Sequence, residues 1–193
     1  MKNSTQRLYD KLNEFISKFY KNQLIRGGIY SVSVLLFFFL LFSILEHYSQ
    51  FDTIVRSILF WTYLIANTFI IYKFVAIPLL HLNRYGKVMS MGKAAQIIGS
   101  HFSGVDDKLL NILELNEMSE RDNALIQASV EQKIASISSF SFATAINFSE
   151  NKKYVKWIAS PLLIMLLFFA SGNKHILTES SARIIKHNTF FEP

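Results

Sequence analysis

Cysteine is absent from the 193-residue sequence, and glycine and proline are scarce, with seven and three residues. Without cysteine the chain can form no disulfide, no thiolate metal site and no cysteine nucleophile. Few glycines leave little room for a phosphate-binding loop, and none of the patterns G-x-x-x-x-G-K-[ST], G-x-G-x-x-G, H-E-x-x-H or G-x-S-x-G occurs. The sequence therefore predicts a protein that is not an enzyme and binds no cofactor.

Other candidates for chemistry are scattered along the chain. The five histidines occur singly, so their spacing predicts no metal site. These histidines are His47, His81, His101, His175 and His187. Asp106 and Asp107 are adjacent and would point about 100° apart on a helix, so we interpret them as a helix start, where the dipole favours acids. The net charge of +6 comes from lysines and arginines clustered beside apolar runs, which argues against nucleic-acid binding.

Long apolar runs are what the sequence has in excess, and they predict three transmembrane helices. The first, 29–45, holds nine consecutive apolar residues, which favour insertion into a bilayer by roughly 3–5 kcal/mol. The second, 57–75, and the third, 154–172, have the roughly 20 residues needed to cross the hydrocarbon core. No small-residue cleavage motif follows 29–45, so we interpret it as a retained anchor and not a signal peptide. The predicted fold is an all-α membrane protein.

Residues 1–28 are predicted to form a basic amphipathic helix before the transmembrane hairpin of 29–80. Its apolar residues recur at spacings of four, three and four. This stripe consists of Leu8, Leu12, Phe15 and Phe19. It can lie on an anionic membrane surface or pack against later helices of the same chain, and the pattern does not separate the two. Gly27 and Gly28 predict a break where the chain enters the bilayer.

Residues 81–153 predict a cytoplasmic helical insertion between the second and third spans. Three one-sided helices fit its pattern, the last of them capped by Ser119 and Asp122. We expect these helices to pack against one another. The segment 140–148 alternates like a strand, but a lone strand would have no partner, so we expect the last helix to continue there.

The third span and the tail carry three further expectations. Pro161 should fall in the first turns of the span, where a missing amide costs least. Thr178 should cap a short helix in the tail, 173–193. Because the tail has no obvious closing element, we expect it to bind a partner or to begin a larger outer domain.

Positive charge predicts the orientation in the membrane. Fourteen lysines and arginines lie in 1–28 and 81–153, against four in 173–193 and the short loop of mixed charge at 46–57. Cytoplasmic loops carry the excess of positive charge. We therefore expect a multi-pass protein of the bacterial inner membrane, with its amino terminus in the cytoplasm and its carboxyl terminus in the periplasm.

A family resemblance lies in the insertion. Ala94, Ala95 and Ile98, followed by DKLLNILEL at 107–115, resemble the amino-terminal membrane region of large, functionally uncharacterised envelope proteins of the Bacteroidetes type. The family pattern is A-A-x-x-I-E followed by D-[RK]-L-L-x-x-L-E-L, and Gly99 stands here in place of the acid. The resemblance implies a membrane hairpin, a helical insertion, a third span and a long periplasmic region, and it implies no catalytic residues.

The leading hypothesis is a non-enzymatic inner-membrane anchor or assembly subunit of an envelope complex. It would contact membrane lipid and bind protein partners or further copies of itself, with no small-molecule substrate. The candidate partner-binding residues are Leu109, Leu110 and Leu113 in the insertion and Ile184, Ile185, Phe190 and Phe191 in the tail. Local packing is the alternative reading of both sets.

A second hypothesis is a subunit of a membrane transport, secretion or motor complex. It places the intramembrane polar residues Asn67 and Lys73 at a shared interface. The alternatives are a structural hydrogen bond from Asn67 to another helix and a Lys73 side chain that extends to the headgroups.

Overall fold

All regular secondary structure in the described part of the chain, residues 2–86, 88–102, 104–119 and 124–191 of the computed structural model, is helical. The α-helices are α1 (Lys2–Ser49), α2 (Thr53–Ile71), α3 (Ile77–Leu82), α4 (Met91–His101), α5 (Asp106–Ser119), α6 (Ala124–Ile137), α7 (Lys152–Ala170) and α8 (Lys174–Ile185). A π-helical turn, Tyr72–Ala76, joins α2 to α3, and two 3₁₀ turns, Phe142–Ala145 and Phe148–Asn151, precede α7. The predicted all-helical class is confirmed.

The chain divides into two compact units. The helical unit contains the residues up to Asn22 together with Leu80–Phe148. The span unit contains Gln23–Leu79 together with the residues from Ser149 on. Because the division falls inside α1, this helix contributes residues to both.

The helical unit is built around the apolar stripe of α1. Leu8, Leu12 and Phe15 are buried in one core with residues of α4, α5 and α6. The other helices contribute Ala95, Ile98, Leu109, Ile112, Val130 and Ile134, among others. Protein side chains therefore cover the stripe, and the second of its two interpretations, packing against later helices, is confirmed.

Two polar contacts fix α1 within the helical unit. The Lys11 ammonium donates to the carbonyls of Ser138 and Phe140, at 2.6 and 3.2 Å, just past the end of α6. A cation at that position complements the negative end of the helix dipole. The Tyr20 hydroxyl accepts a hydrogen bond from the Met89 amide at 2.9 Å and so holds the segment that leads into α4.

Several predicted helix ends were wrong. Gly27 and Gly28 do not break α1, which continues through both, because a glycine inside a helix costs only about 1 kcal/mol. Residues 140–148 do not extend α6, which ends at Ile137. Ser119 is the last residue of α5 and not a cap, while Asp122 lies outside the described residues.

Pro161 and Thr178 also lie elsewhere in their helices than predicted. Pro161 is well inside α7, with its ring buried. Thr178 is inside α8, where its hydroxyl donates to the Lys174 carbonyl at 3.1 Å. The tail helix therefore begins a full turn before the predicted cap.

Three helical segments are long and apolar enough to cross a membrane: Ser4–Ser49, Thr53–Leu82 and Phe142–Ala170. Only 28%, 11% and 6% of their most apolar stretches are buried inside the protein. Apolar surface left this open requires lipid or another protein against it. The predicted number of candidate spans is confirmed.

Pro78 sets the shape of the second candidate span. Proline has no amide hydrogen, and in an α-helix its ring clashes with the carbonyl four residues back, which here belongs to Phe74. The helix widens at this point into a π-turn, in which the Ile77 amide donates to the Tyr72 carbonyl five residues back.

Gly27 lies where the widened turn meets α1. A Cβ atom on Gly27 would overlap the Phe74 carbonyl oxygen and lie 3.3 Å from the Phe74 Cβ. Nothing lies within 4 Å of the position that a Cβ of Gly28 would take. A close approach of two helices, and not a turn, therefore requires glycine at position 27.

Gly27→Ala should destabilise the span unit, whereas Gly28→Ala should not. The methyl group added at position 27 meets a backbone carbonyl, and overpacking of this kind costs about 1–3 kcal/mol. The methyl group at position 28 enters open space and gains up to about 1 kcal/mol of helix propensity. The measurement is the thermal unfolding midpoint of each variant in detergent, and equal midpoints would contradict the close approach.

Candidate functional site

A buried ion pair joins the end of α1 to the start of α2. Arg56 and Glu46 are 2% and 0% exposed. The guanidinium Nε and Nη2 of Arg56 each lie 3.1 Å from one carboxylate oxygen, Oε1, of Glu46. Asp52 starts α2 by accepting a hydrogen bond from the Val55 amide at 2.9 Å, which places Arg56 in the first turns of that helix. The pair therefore closes the hairpin between the first two candidate spans.

The carboxyl-terminal tail is seated on this pair. Arg56 Nη1 donates to the Thr189 carbonyl at 3.1 Å, and Nη2 donates to the Phe51 carbonyl at 2.6 Å. The Phe191 ring centre lies 5.0 Å from the Arg56 guanidinium carbon and 5.7 Å from that of Arg183, within the range of cation–π attraction. Arg56 thus ties together the end of α1, the loop after it and the tail.

His187 attaches the tail at a second point. Its ring stacks on Phe60 with the centroids 4.5 Å apart, and its Nδ1 lies 3.0 Å from Ser57 Oγ. Before it in the chain, α8 buries Ile176 and Leu177. Arg56 and Phe60 therefore attach the tail to α2 at two points.

We name Glu46, Arg56, Thr189 and Phe191 the tail clamp, and its chemistry is structural. Both charged groups are closed off from solvent, so a substrate would have to displace the tail to reach them. Glu46 Oε2 has no hydrogen-bond partner. The contacts of Oε1 with Arg56 must therefore offset the free-energy cost of removing the carboxylate from water. No group of three or more His, Asp or Glu side chains that could hold a metal occurs within the residues that the structure describes.

In the helical unit, the candidate partner residues lie mostly in the core. Leu109 and Leu113 are buried in the cluster around the α1 stripe. Leu110 is half-buried. Packing therefore accounts for Leu109 and Leu113 and leaves neither side chain free for a partner.

In the tail, two of the four candidate residues are exposed. Ile185 and Phe190 are 68% and 77% exposed. Ile184 and Ile185 both line a small apolar pocket of about 230 Å³ together with Phe39 of α1, and Phe191 belongs to the tail clamp. The structure thus leaves Ile185 and Phe190 as the tail's open apolar surface.

Asn67 and Lys73 each contact a residue of their own helical segment. Asn67 is buried, and its Nδ2 donates to the Tyr63 carbonyl one turn back at 2.8 Å, whereas a bond to another helix was expected. Lys73 is exposed, with its ammonium 5.7 Å from the Phe74 ring centre. These contacts give no support to a shared transport interface.

Sequence reasoning missed the tail clamp, although a signal was present. It treated 46–57 as a loop of mixed charge and did not pair Glu46 with Arg56. A short loop between two antiparallel helices brings the end of one beside the start of the next, so an acid that ends one apolar run can meet a base that begins the following run. The contacts of Thr189 and Phe191 with Arg56 had no comparable signal, since they depend on where the tail folds.

No protein-family model, curated protein or solved structure matches this chain. The resemblance to envelope proteins therefore stays a prediction. The functional proposal rests on the positions and exposure of the residues described above.

Arg56→Met should destabilise the span unit strongly and loosen the tail. The substitution leaves the Glu46 carboxylate buried without a partner, which costs about 3–5 kcal/mol. Exchange of both residues for methionine should restore most of this loss, because no unpaired charge remains. The measurements are the unfolding midpoint in detergent and the rate of tryptic cleavage after Lys186.

Arg183→Met is the control for the tail clamp. It keeps the Arg56–Glu46 ion pair and removes the contact with the Phe191 ring together with a weaker attraction to Glu46, so it should cost clearly less than Arg56→Met, about 1 kcal/mol. A loss for Arg56→Met no larger than that for Arg183→Met would show that the ion pair does not hold the tail.

Proposed function

We propose that the chain is a non-enzymatic subunit of the bacterial inner membrane that anchors a partner protein of the cell envelope. The chain crosses the membrane three times, with the helical unit in the cytoplasm and the tail in the periplasm. The tail clamp holds the tail against the hairpin of the first two spans, and the tail presents Ile185 and Phe190 to the partner.

One observation carries the proposal, namely where apolar surface stays open. Lipid accounts for the open faces of the three candidate spans, and the helical unit closes its core on itself. Ile185 and Phe190 lie outside those spans and remain exposed. Apolar side chains exposed on the surface of a folded protein are typical of sites that bind other proteins.

A tail that is fixed before the partner arrives favours binding of that partner. Association orders side chains and loops at an interface, and that ordering lowers affinity. The contacts of Arg56 with Thr189 and of His187 with Phe60 fix the segment that carries Phe190 before any partner arrives. A rigid apolar anchor of this kind loses less entropy on binding than a free peptide.

Reporter fusions should read the proposed orientation directly. Fusions after Gln50, Gly104 and Asn188 should report periplasm, cytoplasm and periplasm, because the excess of positive charge lies in the segments assigned to the cytoplasm. A phosphatase that is active only in the periplasm and a fluorescent protein that matures only in the cytoplasm give complementary readouts. Any other order would contradict the three crossings or their direction.

A photoreactive phenylalanine analogue at position 190 should form a covalent protein adduct in intact cells. Phe190 is the proposed anchor, so the reactive group would lie against the partner, and Ile185→Ser should weaken the adduct. An adduct of twice the chain's mass would identify the partner as a second copy, and any other mass would identify a different protein.

The same analogue at position 166 is the matched control. Leu166 lies on α7 and is 65% exposed, but the proposal places it against lipid, so it should give no discrete protein adduct. If position 190 behaves like position 166, the tail does not bind a partner.

A further inference from the structure

A groove of about 450 Å³ lies between α1 and α7 within the span unit. Its walls include Tyr30, Val34 and Phe37 of α1 and Trp157, Ser160 and Pro161 of α7. Ser33 also lines it, but its hydroxyl donates to the Ile29 carbonyl at 2.7 Å. The groove is therefore an apolar trough along two candidate membrane spans.

The groove leads to a cluster of positive charge. The ring of Tyr30, in the groove wall, lies 5.1 Å from the ring of Tyr154. The Lys153 ammonium lies 5.2 Å from the centre of the Tyr154 ring, and Arg26 lies beside the Tyr154 hydroxyl. The aromatic pair thus connects the trough to cations from both α1 and α7.

Lys156 extends this cluster over the groove wall. Its ammonium lies 5.8 Å from the ring centre of Trp157. One acid, Glu150, accompanies the cluster, 4.0 Å from Lys153, and both partners of that ion pair are mostly exposed. Arg26, Lys153 and Lys156 therefore leave a net positive charge at this end of the groove.

We propose that the groove binds a phospholipid with an anionic headgroup. One acyl chain lies in the trough, and the phosphate meets Arg26, Lys153 and Lys156. Basic pockets between membrane helices bind anionic headgroups in this way, and a groove of several hundred cubic ångströms is large enough to take a chain.

Other occupants fit the groove less well. Free phosphate would use the cations but not the apolar trough. A helix from a second copy would fill the trough but leave the cations without counter-charge. A zwitterionic lipid has a phosphate but also a cationic group in its headgroup, so it brings no net negative charge to a site that is positive. An anionic phospholipid matches both parts of the site.

The inference rests on the membrane placement of the proposed function, and the test separates the two. The sequence has two tryptophans. Trp157 lies in the groove wall, and Trp61 lies on α2, 6.4 Å from His187 in the tail. Trp61→Phe and Trp157→Phe therefore give two full-length proteins with a single fluorophore each.

Brominated lipids quench tryptophan fluorescence on contact, so they report which lipid occupies each position. Each single-tryptophan protein is reconstituted in mixtures of phosphatidylglycerol and phosphatidylcholine, with one of the two brominated. Trp157 should prefer phosphatidylglycerol, and Trp61 should show a clearly smaller preference. In the protein that retains Trp157, Arg26→Gln and Lys156→Gln should each weaken the preference about fivefold.

Two further variants separate a site from general attraction. Lys174→Gln removes a cation from the first turn of α8 and should leave the preference of Trp157 unchanged. Ser160→Phe fills the trough and retains every cation, so it should abolish the preference. A preference that survives Ser160→Phe, or equal preference at both tryptophans, would overturn the lipid site. Absence of quenching at both tryptophans by either lipid would overturn the membrane placement itself.

Discussion

A helix that is to cross a membrane must satisfy its own backbone hydrogen bonds, and this is the constraint on which the candidate spans depend. Lipid offers no partners, so a spanning helix must satisfy its own amides and carbonyls. Pro78 removes one donor from the second candidate span, and the chain responds with a π-turn in which Ile77 donates to Tyr72. The same turn brings the Phe74 carbonyl against Gly27. The π-turn that accompanies Pro78 thus places the Phe74 carbonyl close to α1. Only glycine, which has no Cβ atom, fits at position 27.

The tail clamp buries two charged groups, which costs free energy unless their partners are well placed, so it favours one position of the tail. Removal of two charges from water is repaid only where geometry and additional hydrogen bonds are good. Arg56 meets that condition by combining the Glu46 carboxylate with the carbonyls of Phe51 and Thr189. A tail folded anywhere else would leave part of the guanidinium without these partners. The Arg56–Thr189 hydrogen bond therefore favours one position for the tail, which is what the proposed binding surface requires.

Hydropathy predicted the candidate spans well because lipid responds to composition along a continuous run of residues, such as 29–45. It could not decide what covers the stripe of Leu8 and Leu12, since lipid and a protein core favour the same spacing. Glycine at 27 and 28 was interpreted as a break because a sequence shows no neighbours, and only the packed structure reveals the carbonyl at Phe74. The sequence also could not separate Leu109 from Leu110. Adjacent leucines on a helix point in different directions, so one is buried and the other is half-buried.

Exposed apolar side chains have different meanings in the two parts of the span unit. Leu166 on α7 is surrounded in sequence by further apolar residues within a candidate span, so lipid is sufficient to cover it. Phe190 follows Lys186 and His187 and precedes a ring packed between two arginines. In the proposed orientation Phe190 lies outside the lipid, where its exposed surface would raise the free energy of the protein in water. A partner that covers Phe190 would recover that free energy, and the rigid support of the tail clamp would keep the entropy lost on binding small.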